Sequence, residues 1–486
     1  MRKFRTLVIA AAMSIVLAMT GCSGSGASDA GVSSGSEVSD SSGGGEDTDI
    51  DKINEDKADS STDNVNVGGD DTTSDTTTDD TENDDESGGK AGDESSEAVD
   101  ESNENTAEET TESQYKIPEI NVERYDVPDT ESMRFAEGLT LGVSLGNTFD
   151  AYKDSNLEDE MDTETVWQSV VTTQEIIEGY HDAGFTTIRI PVSWHNHVSG
   201  DDFTISEQWM DRIQEVVDWA IDDGMYVIIN IHHDNHPEAN AYYPNSEHLD
   251  QSIKYVTSIW TQVSERFKDY DEHLIFESLN EPRLVDHDNE WFIQGNDDCK
   301  DSIECINVLN QTIVDTIRAS GGNNASRYIM VPGYDASSKG ALNSGFVFPT
   351  DPVDNDHRIM LSIHEYTPYS FALEYPGEDI FNYKSESSTG DIDEFMDSLY
   401  ESFISQGIPV VIGEFGAVDK SQNTQSRVNF ASYYVASARA RGMTCMWWDN
   451  NSFQSNGLGL YYRRGGYLVY PDIMNAMLQY CTYDAE

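Results

Sequence analysis

Between residues 139 and 449, short apolar runs alternate with longer stretches whose apolar residues recur every three or four positions. The runs are LTLGVSLG (139–146), TTIRIPVSW (186–194), MYVIINIHH (225–233), LIFESLNE (274–281), YIMVPG (328–333), IMLSIHEY (359–366), PVVIGEFG (409–416) and TCMWWD (444–449). Runs of this length and composition predict buried strands, and the three- and four-residue spacing between them predicts amphipathic helices. SEQWMDRIQEVVDWAIDDG carries both helix end signals, with Ser206 as an N-capping residue type and Gly224 as a C-terminal stop. SIKYVTSIWTQVSERFKDY reads as another such helix.

Eight strand–helix units in about 350 residues predict an α/β fold, a (β/α)8 barrel with a few enlarged loops. A doubly wound open sheet competes, because it too is parallel. The polar residues favour the barrel. Six runs end in chemistry-bearing side chains: Arg189 and Trp194, His232 and His233, Asn280 and Glu281, His364 and Tyr366, Glu414, and Trp448 with Asp449. In a barrel those strand ends converge on one face, where a site is built.

What precedes the runs has a different character. Residues 23–114 are Ser, Gly, Thr, Asp, Glu and Asn, with about 29 acidic residues against three Lys. Such a segment buries too little apolar surface to offset its ordering entropy, and its like charges repel, so an acidic, disordered linker is expected over 22–115, with the barrel spanning 116–486. Before it, MRKFRTLVIAAAMSIVLAMTGCSG has the basic start, apolar stretch and small residues of an export signal, expected over 1–21. Met19-Thr20-Gly21-Cys22 resembles a bacterial lipobox, in which Cys22 becomes the lipidated N-terminus; Met19 stands where Leu is usual. Ordinary secretion is the alternative. The whole chain has 486 residues and a formal net charge of −63. Beyond the first few residues it has no basic cluster, which argues against a nucleic-acid partner.

Export permits disulfides, and the gap between Cys299 and Cys305 suits a small closed loop, but Cys445 in MTCMWW fits a reduced core thiol equally well. No cysteine spacing suits zinc. His232, His233, Asp234 and His236 offer metal-ligand types. Successive strand residues face opposite sides, so at most one of His232 and His233 is expected to serve a given ion, and neither metal nor other cofactor is expected.

Glu281 and Glu414 are the central candidates. Two carboxylates across a barrel mouth suit glycoside hydrolysis, one protonating the leaving oxygen and the other attacking the anomeric carbon or activating water. One Glu alone would more readily be a surface residue; two in distinctive surroundings are another matter. With them, LIFESLNEPR, PVVIGEFG, RIPVSWH, NIHHD, SIHEY and MWWDN resemble the motif set of glycoside hydrolase family 5, the retaining cellulase-type barrels, and in detail its endoglucanase and xyloglucanase branch. The resemblance spans about residues 130–480, and six motifs in order on successive strands make it specific.

The resemblance implies that Glu281 is the acid/base and Glu414 the nucleophile, that Arg189 and Tyr366 donate to the nucleophile, and that Asn280 binds the 2-hydroxyl of the reacting sugar. It places His233 and His364 in the site with His232 behind, and makes Trp448 the aromatic platform under that sugar. Strand alternation sends Trp447 the other way, into the core, unless the register is off by one. Asn147, in GNTFD, has either a sugar contact or a turn role. For retention the two carboxylates must stand about 5–5.5 Å apart, with the acid kept protonated and the nucleophile ionised. The implied activity is that of an endo-β-1,4-glucanase working as a monomer on cellulose or another β-glucan, with a membrane reached only through the lipid on Cys22. Xyloglucan, mixed-linkage glucan and mannan stay open as substrates, because loops 150–166 and 366–393 border the cleft and NHPEANAYYPNSEHL holds Tyr242 and Tyr243 but no Trp. A glucan-binding surface lipoprotein without activity is the competing class; it would have no use for both Glu281 and Glu414 with Arg189 and Tyr366.

Overall fold

The computed structural model describes residues 114–482, except 154–158, 238–239, 292, 354–356, 422 and 454–456. The expected signal, Cys22 and nearly all of the linker lie outside the described residues. Eight parallel strands close a barrel in chain order: β1 (Leu141–Leu145), β2 (Thr187–Ile190), β3 (Tyr226–Asn230), β4 (Leu274–Glu277), β5 (Ile329–Pro332), β6 (Ile359–His364), β7 (Val410–Phe415) and β8 (Thr444–Asp449). β8 pairs with β1 through Leu141↔Cys445 to Leu145↔Asp449, which shuts the sheet. Each predicted run contains one of these strands, and helices run between them, so the barrel is correct and the open sheet is not.

The helix following β2 spans Glu207–Asp222, with the Ser206 side chain accepting from the Trp209 N–H. Gly224 has φ +80°, the left-handed turn that stops a helix and that a Cβ disfavours. The helix after β3 covers Leu249–Arg266 and buries Tyr255, Val256, Ile259, Trp260 and Val263 on one face.

Side chains inside the barrel form a separate apolar cluster of Ile228, Ile275, Met330, Met360, Val411 and Met446, closed from the N-terminal strand ends by Ala136 and Leu139. These two belong to, and cap, the short helix Glu131–Gly138, whose Phe135 stacks on Tyr328 at 3.5 Å between ring centroids. β1 contributes Gly142 to this layer: a Cβ there would lie 1.9 Å from Met446 Sδ, so only glycine admits that side chain. The strands' C-terminal ends carry the polar residues.

Cys299, Cys305, Cys445 and Cys481 are free and buried. Cys299 and Cys305 lie on one continuous helix, Asp297–Ala319, so the small closed loop anticipated between them does not form.

Candidate active site

Two residues beyond the apolar layer, the inward positions of the same strands become polar. Arg189 on β2 is wholly buried and donates three ways: from Nε to Glu277 Oε2 at 2.8 Å, from Nη1 to Glu414 Oε1 at 2.8 Å, and from Nη2 to Asn280 Oδ1 at 2.7 Å. A guanidinium presents its donors in a rigid fork, so one side chain fixes three partners at once. Glu277 also accepts from Asn230 Nδ2 at 2.8 Å and from the Ser362 hydroxyl at 2.6 Å. Burial pulls the Glu277 carboxyl upward, but the Arg189 cation, His364 and Ser362 outweigh it and hold it at about 2. It is a permanent counter-charge beneath the site.

Above this floor stand Glu281 and Glu414 with His364 between them. Nδ1 of His364 lies 2.9 Å from Glu281 Oε1 and 3.5 Å from Glu414 Oε1. One carboxylate oxygen of each Glu and one ring nitrogen of His364 all fall within 4.8 Å of one another. Tyr366 donates its hydroxyl to Glu414 Oε2 at 3.0 Å. Glu414 lies on β7, where a register shift opposite His364 aligns the two residues. Glu281 does not end β4, as the run suggested: β4 stops at Glu277, and a Ser278 N–H···O=C Met330 bond and an Asn280 N–H···O=C Ile231 bond carry the chain onward to Glu281.

Burial disfavours a charged His364, yet the charge of Glu414 and hydrogen bonds to Glu277 and Glu281 prevail and raise it to about 10. Burial likewise pushes Glu281 up, but the hydrogen bond and charge of His364, with Arg283 and His233, bring it down to about 2. Burial pushes Glu414 up against the pull of His364 and Arg189. The expected state, with Glu281 protonated and Glu414 the more firmly ionised, is therefore not that of the empty site, where the proton rests on His364. A sugar entering between the groups changes the solvation that sets this balance.

A ring of aromatic groups lines the opposite wall. Trp448 is partly exposed and lies parallel to His232, with centroids 5.8 Å apart, while Trp447 is buried and donates its indole N–H to Leu458 O at 2.7 Å. Tyr152 and Trp167, from the segment after β1, approach His233 at 5.7 and 5.6 Å. Burial lowers both histidines, His233 to about 4 with Arg283 adding to the effect, so each is a neutral ring at neutral pH. Tyr242 and Tyr243 are only 1% and 7% exposed and offer no platform.

The anticipated His232/His233 geometry needs correction. Because β3 ends at Asn230, the alternation of a strand no longer applies to residues 232 and 233, and their rings meet at 4.3 Å. With Asp150 they place donor atoms within 4.8 Å of one another, whereas Asp234 is engaged by the Trp194 and His195 N–H groups and the Tyr255 hydroxyl, and His236 by Asp286. Asp150 is itself committed: its oxygens accept from the Asn147 and Thr148 N–H groups at 3.0 and 2.6 Å, and burial raises it to about 7. Asn147 sits in this turn with φ +58°.

Three buried residues that hold the site escaped the sequence reading: Glu277, Asp150 and Arg463. Arg463 donates to Gly146 O, Asp449 O, Thr148 Oγ1 and the Tyr180 hydroxyl, tying the ends of β1 and β8 together. A charge inside an apolar strand was the available signal for Glu277; nothing local marks the other two.

A model of the cellulase family, glycosyl hydrolase family 5, matches residues 150–454. Endoglucanase B of Neocallimastix patriciarum is 41% identical over 357 residues, 72% of this chain and 71% of the relative. A family 5 lichenase from Caldicellulosiruptor sp. F32, solved as a mutant with cellotetraose, is 53% identical with a TM-score of 0.74, covering 76% of this chain and all of the other. A family 5 xyloglucanase from Paenibacillus pabuli, solved with ligand, is 31% identical with a TM-score of 0.65, covering 72% of this chain and all of its own.

Proposed function

This chain belongs to glycoside hydrolase family 5, and from that premise we propose that it hydrolyses internal β-1,4-glucosidic bonds of cellulose or a related β-glucan with net retention at the anomeric carbon. The observation that carries the reading is the approach of Glu281 and Glu414 carboxylate oxygens to within 4.8 Å. Retaining pairs stand about 5–5.5 Å apart, and inverting pairs need about 6.5–9.5 Å to admit a water.

Glu414 attacks the anomeric carbon as Glu281 gives a proton to the departing glycosidic oxygen, leaving a glycosyl ester on Glu414. Glu281, now a carboxylate, takes a proton from a water that attacks the same carbon and frees Glu414. Arg189 and Tyr366 hold the Glu414 oxygens in place for attack, and Trp448 offers its face to the C–H surface of the sugar. Asn280, fixed by Arg189 through its amide oxygen, is placed to bind the 2-hydroxyl.

The experiment follows the anomer by NMR during cleavage of carboxymethylcellulose, lichenan, xyloglucan and mannan, with a chelator present. The expected first product is the β-anomer from a β-1,4-glucan, undiminished by chelator. An α-anomer first, or loss of activity with chelator, would refute the mechanism.

The same reading extends to the cell. A lipid on Cys22 and the acidic segment after it would hold a monomeric barrel away from an anionic envelope while the cleft reaches polymer outside. Wild-type activity should then sediment with membranes and Cys22→Ala should take up no lipid label; intact unlipidated wild-type enzyme found wholly in the medium would refute the anchor.

A further inference from the structure

Trp291 is 38% exposed, and a lone exposed tryptophan is ordinarily unremarked. This one is held. The Arg283 guanidinium lies 4.0 Å from its ring centroid, and Arg283 is in turn fixed by Glu281 Oε2 at 3.4 Å and Glu290 Oε1 at 3.2 Å. With its side chain only 12% exposed, Arg283 links the carboxyl of Glu281 to one face of the Trp291 ring.

The segment bearing the ring is pinned along its length. The Asp335 N–H donates to Pro282 O at 2.9 Å, Asn235 Nδ2 to Arg283 O at 2.8 Å, and the Tyr334 hydroxyl to Asn289 O at 2.8 Å. The ring is presented by a fixed loop that starts at Glu281 and leans on the residues after β5. The aromatic groups described above, Trp448 and the rings around His233, belong instead to β8, to the segment after β3 and to the segment after β1.

On the functional reading above, the sugar under attack lies over Trp448, and Glu281 protonates the oxygen that departs with the rest of the chain. That departing part must leave past Glu281, away from Trp448, where loop 282–291 stands. A pyranose presents a face of C–H bonds that packs on an indole. We propose that Trp291 is the sugar platform of the leaving-group side, supported on one face by Arg283, which ties its position to Glu281.

The test compares two substrates in wild type, Trp291→Ala and Trp291→Phe. A β-glucan places sugars on both sides of the bond, whereas β-cellotriosyl fluoride leaves as fluoride and needs no sugar beyond Glu281. In Trp291→Ala, kcat/KM on β-glucan should fall about tenfold relative to that on the fluoride, and Trp291→Phe should recover most of the loss. Reactivation by cellobiose of wild-type enzyme trapped as its 2-fluoroglycosyl ester should exceed that of Trp291→Ala by a similar factor, since the acceptor binds on the leaving-group side. Equal losses on both substrates, or an unchanged ratio with wild type active on β-glucan, would overturn the platform alone. Wild-type inactivity on every β-glucan would overturn it together with the reading it rests on.

Discussion

Ile228 and Asn230 lie two residues apart on β3, Ile275 and Glu277 on β4, and Met360, Ser362 and His364 at successive inward positions on β6. In each strand the first inward residue belongs to the apolar barrel interior and the next to the polar floor of the site. Both layers are buried, yet they hold together by different physics. The apolar layer stabilises by area removed from water and by contact, which any well-shaped apolar side chain can supply. The polar layer is stable only when complete, because each buried charge relies on its partner. Stability thus concentrates toward one end of the barrel and chemistry toward the other.

The sharpest way to break this comparison is to remove a reacting carboxylate. On the proposed roles, Glu414→Gln should lower kcat by at least about four orders of magnitude on every substrate. Glu281→Gln should cost about 10²–10⁴ on β-glucan and far less on an aryl cellobioside whose leaving group needs little protonation. Rates on the two substrates separate acid from nucleophile, and the reverse pattern would exchange the assignments.

Next comes a pair of substitutions, one in each layer. Glu277→Gln strips the counter-charge from Arg189 and should cost about 3 kcal/mol in denaturant unfolding, with a fall in kcat because Arg189 also orients Glu414. Met360→Ala should cost a similar 2–5 kcal/mol and leave kcat within about twofold. The two losses should also differ with pH. The folded Glu277 carboxyl titrates at about 2 against an ordinary 4.5, so the stability it contributes is present above 4.5 and is lost as pH falls toward 2. The gap between wild type and Glu277→Gln should therefore shrink below about pH 4, while the Met360→Ala gap should not follow that titration. A pH-independent gap for Glu277→Gln would mean that Glu277 is not ionised in the folded protein.

How legible all this was in the sequence depends on whether a periodicity applied. Inward parity on a strand is regular, so the runs located all eight strands, and counting on from Met446 puts Trp448 inward and Trp447 outward, as they stand. The same count from Ile275 reaches Glu277, so a buried ion pair was readable there; the Asn-Glu-Pro motif four residues later drew the attention instead. Where the strand ends, parity ends with it. His232 and His233 were misjudged because β3 stops at Asn230. Asp150 and Arg463 act through backbone groups distant in sequence, and the state of Glu281 depends on a His364 proton 83 residues away. Such couplings exist only once the barrel has closed.

The smallest predicted effect tests the stability end directly. The helix Glu131–Gly138 covers the apolar layer with Ala136 and the adjoining Leu139, and its first turn is held by the Thr130 hydroxyl, which accepts from the Met133 N–H at 3.2 Å. Thr130→Ala leaves that N–H without its side-chain acceptor and should cost about 1 kcal/mol. Because the helix meets the barrel at its N-terminal strand ends, the loss should appear in the unfolding midpoint and not in kcat/KM on β-glucan. A matching fall in kcat/KM would mean that the helix influences the polar layer through the apolar one, and that the two ends of the barrel are less separate than their chemistry.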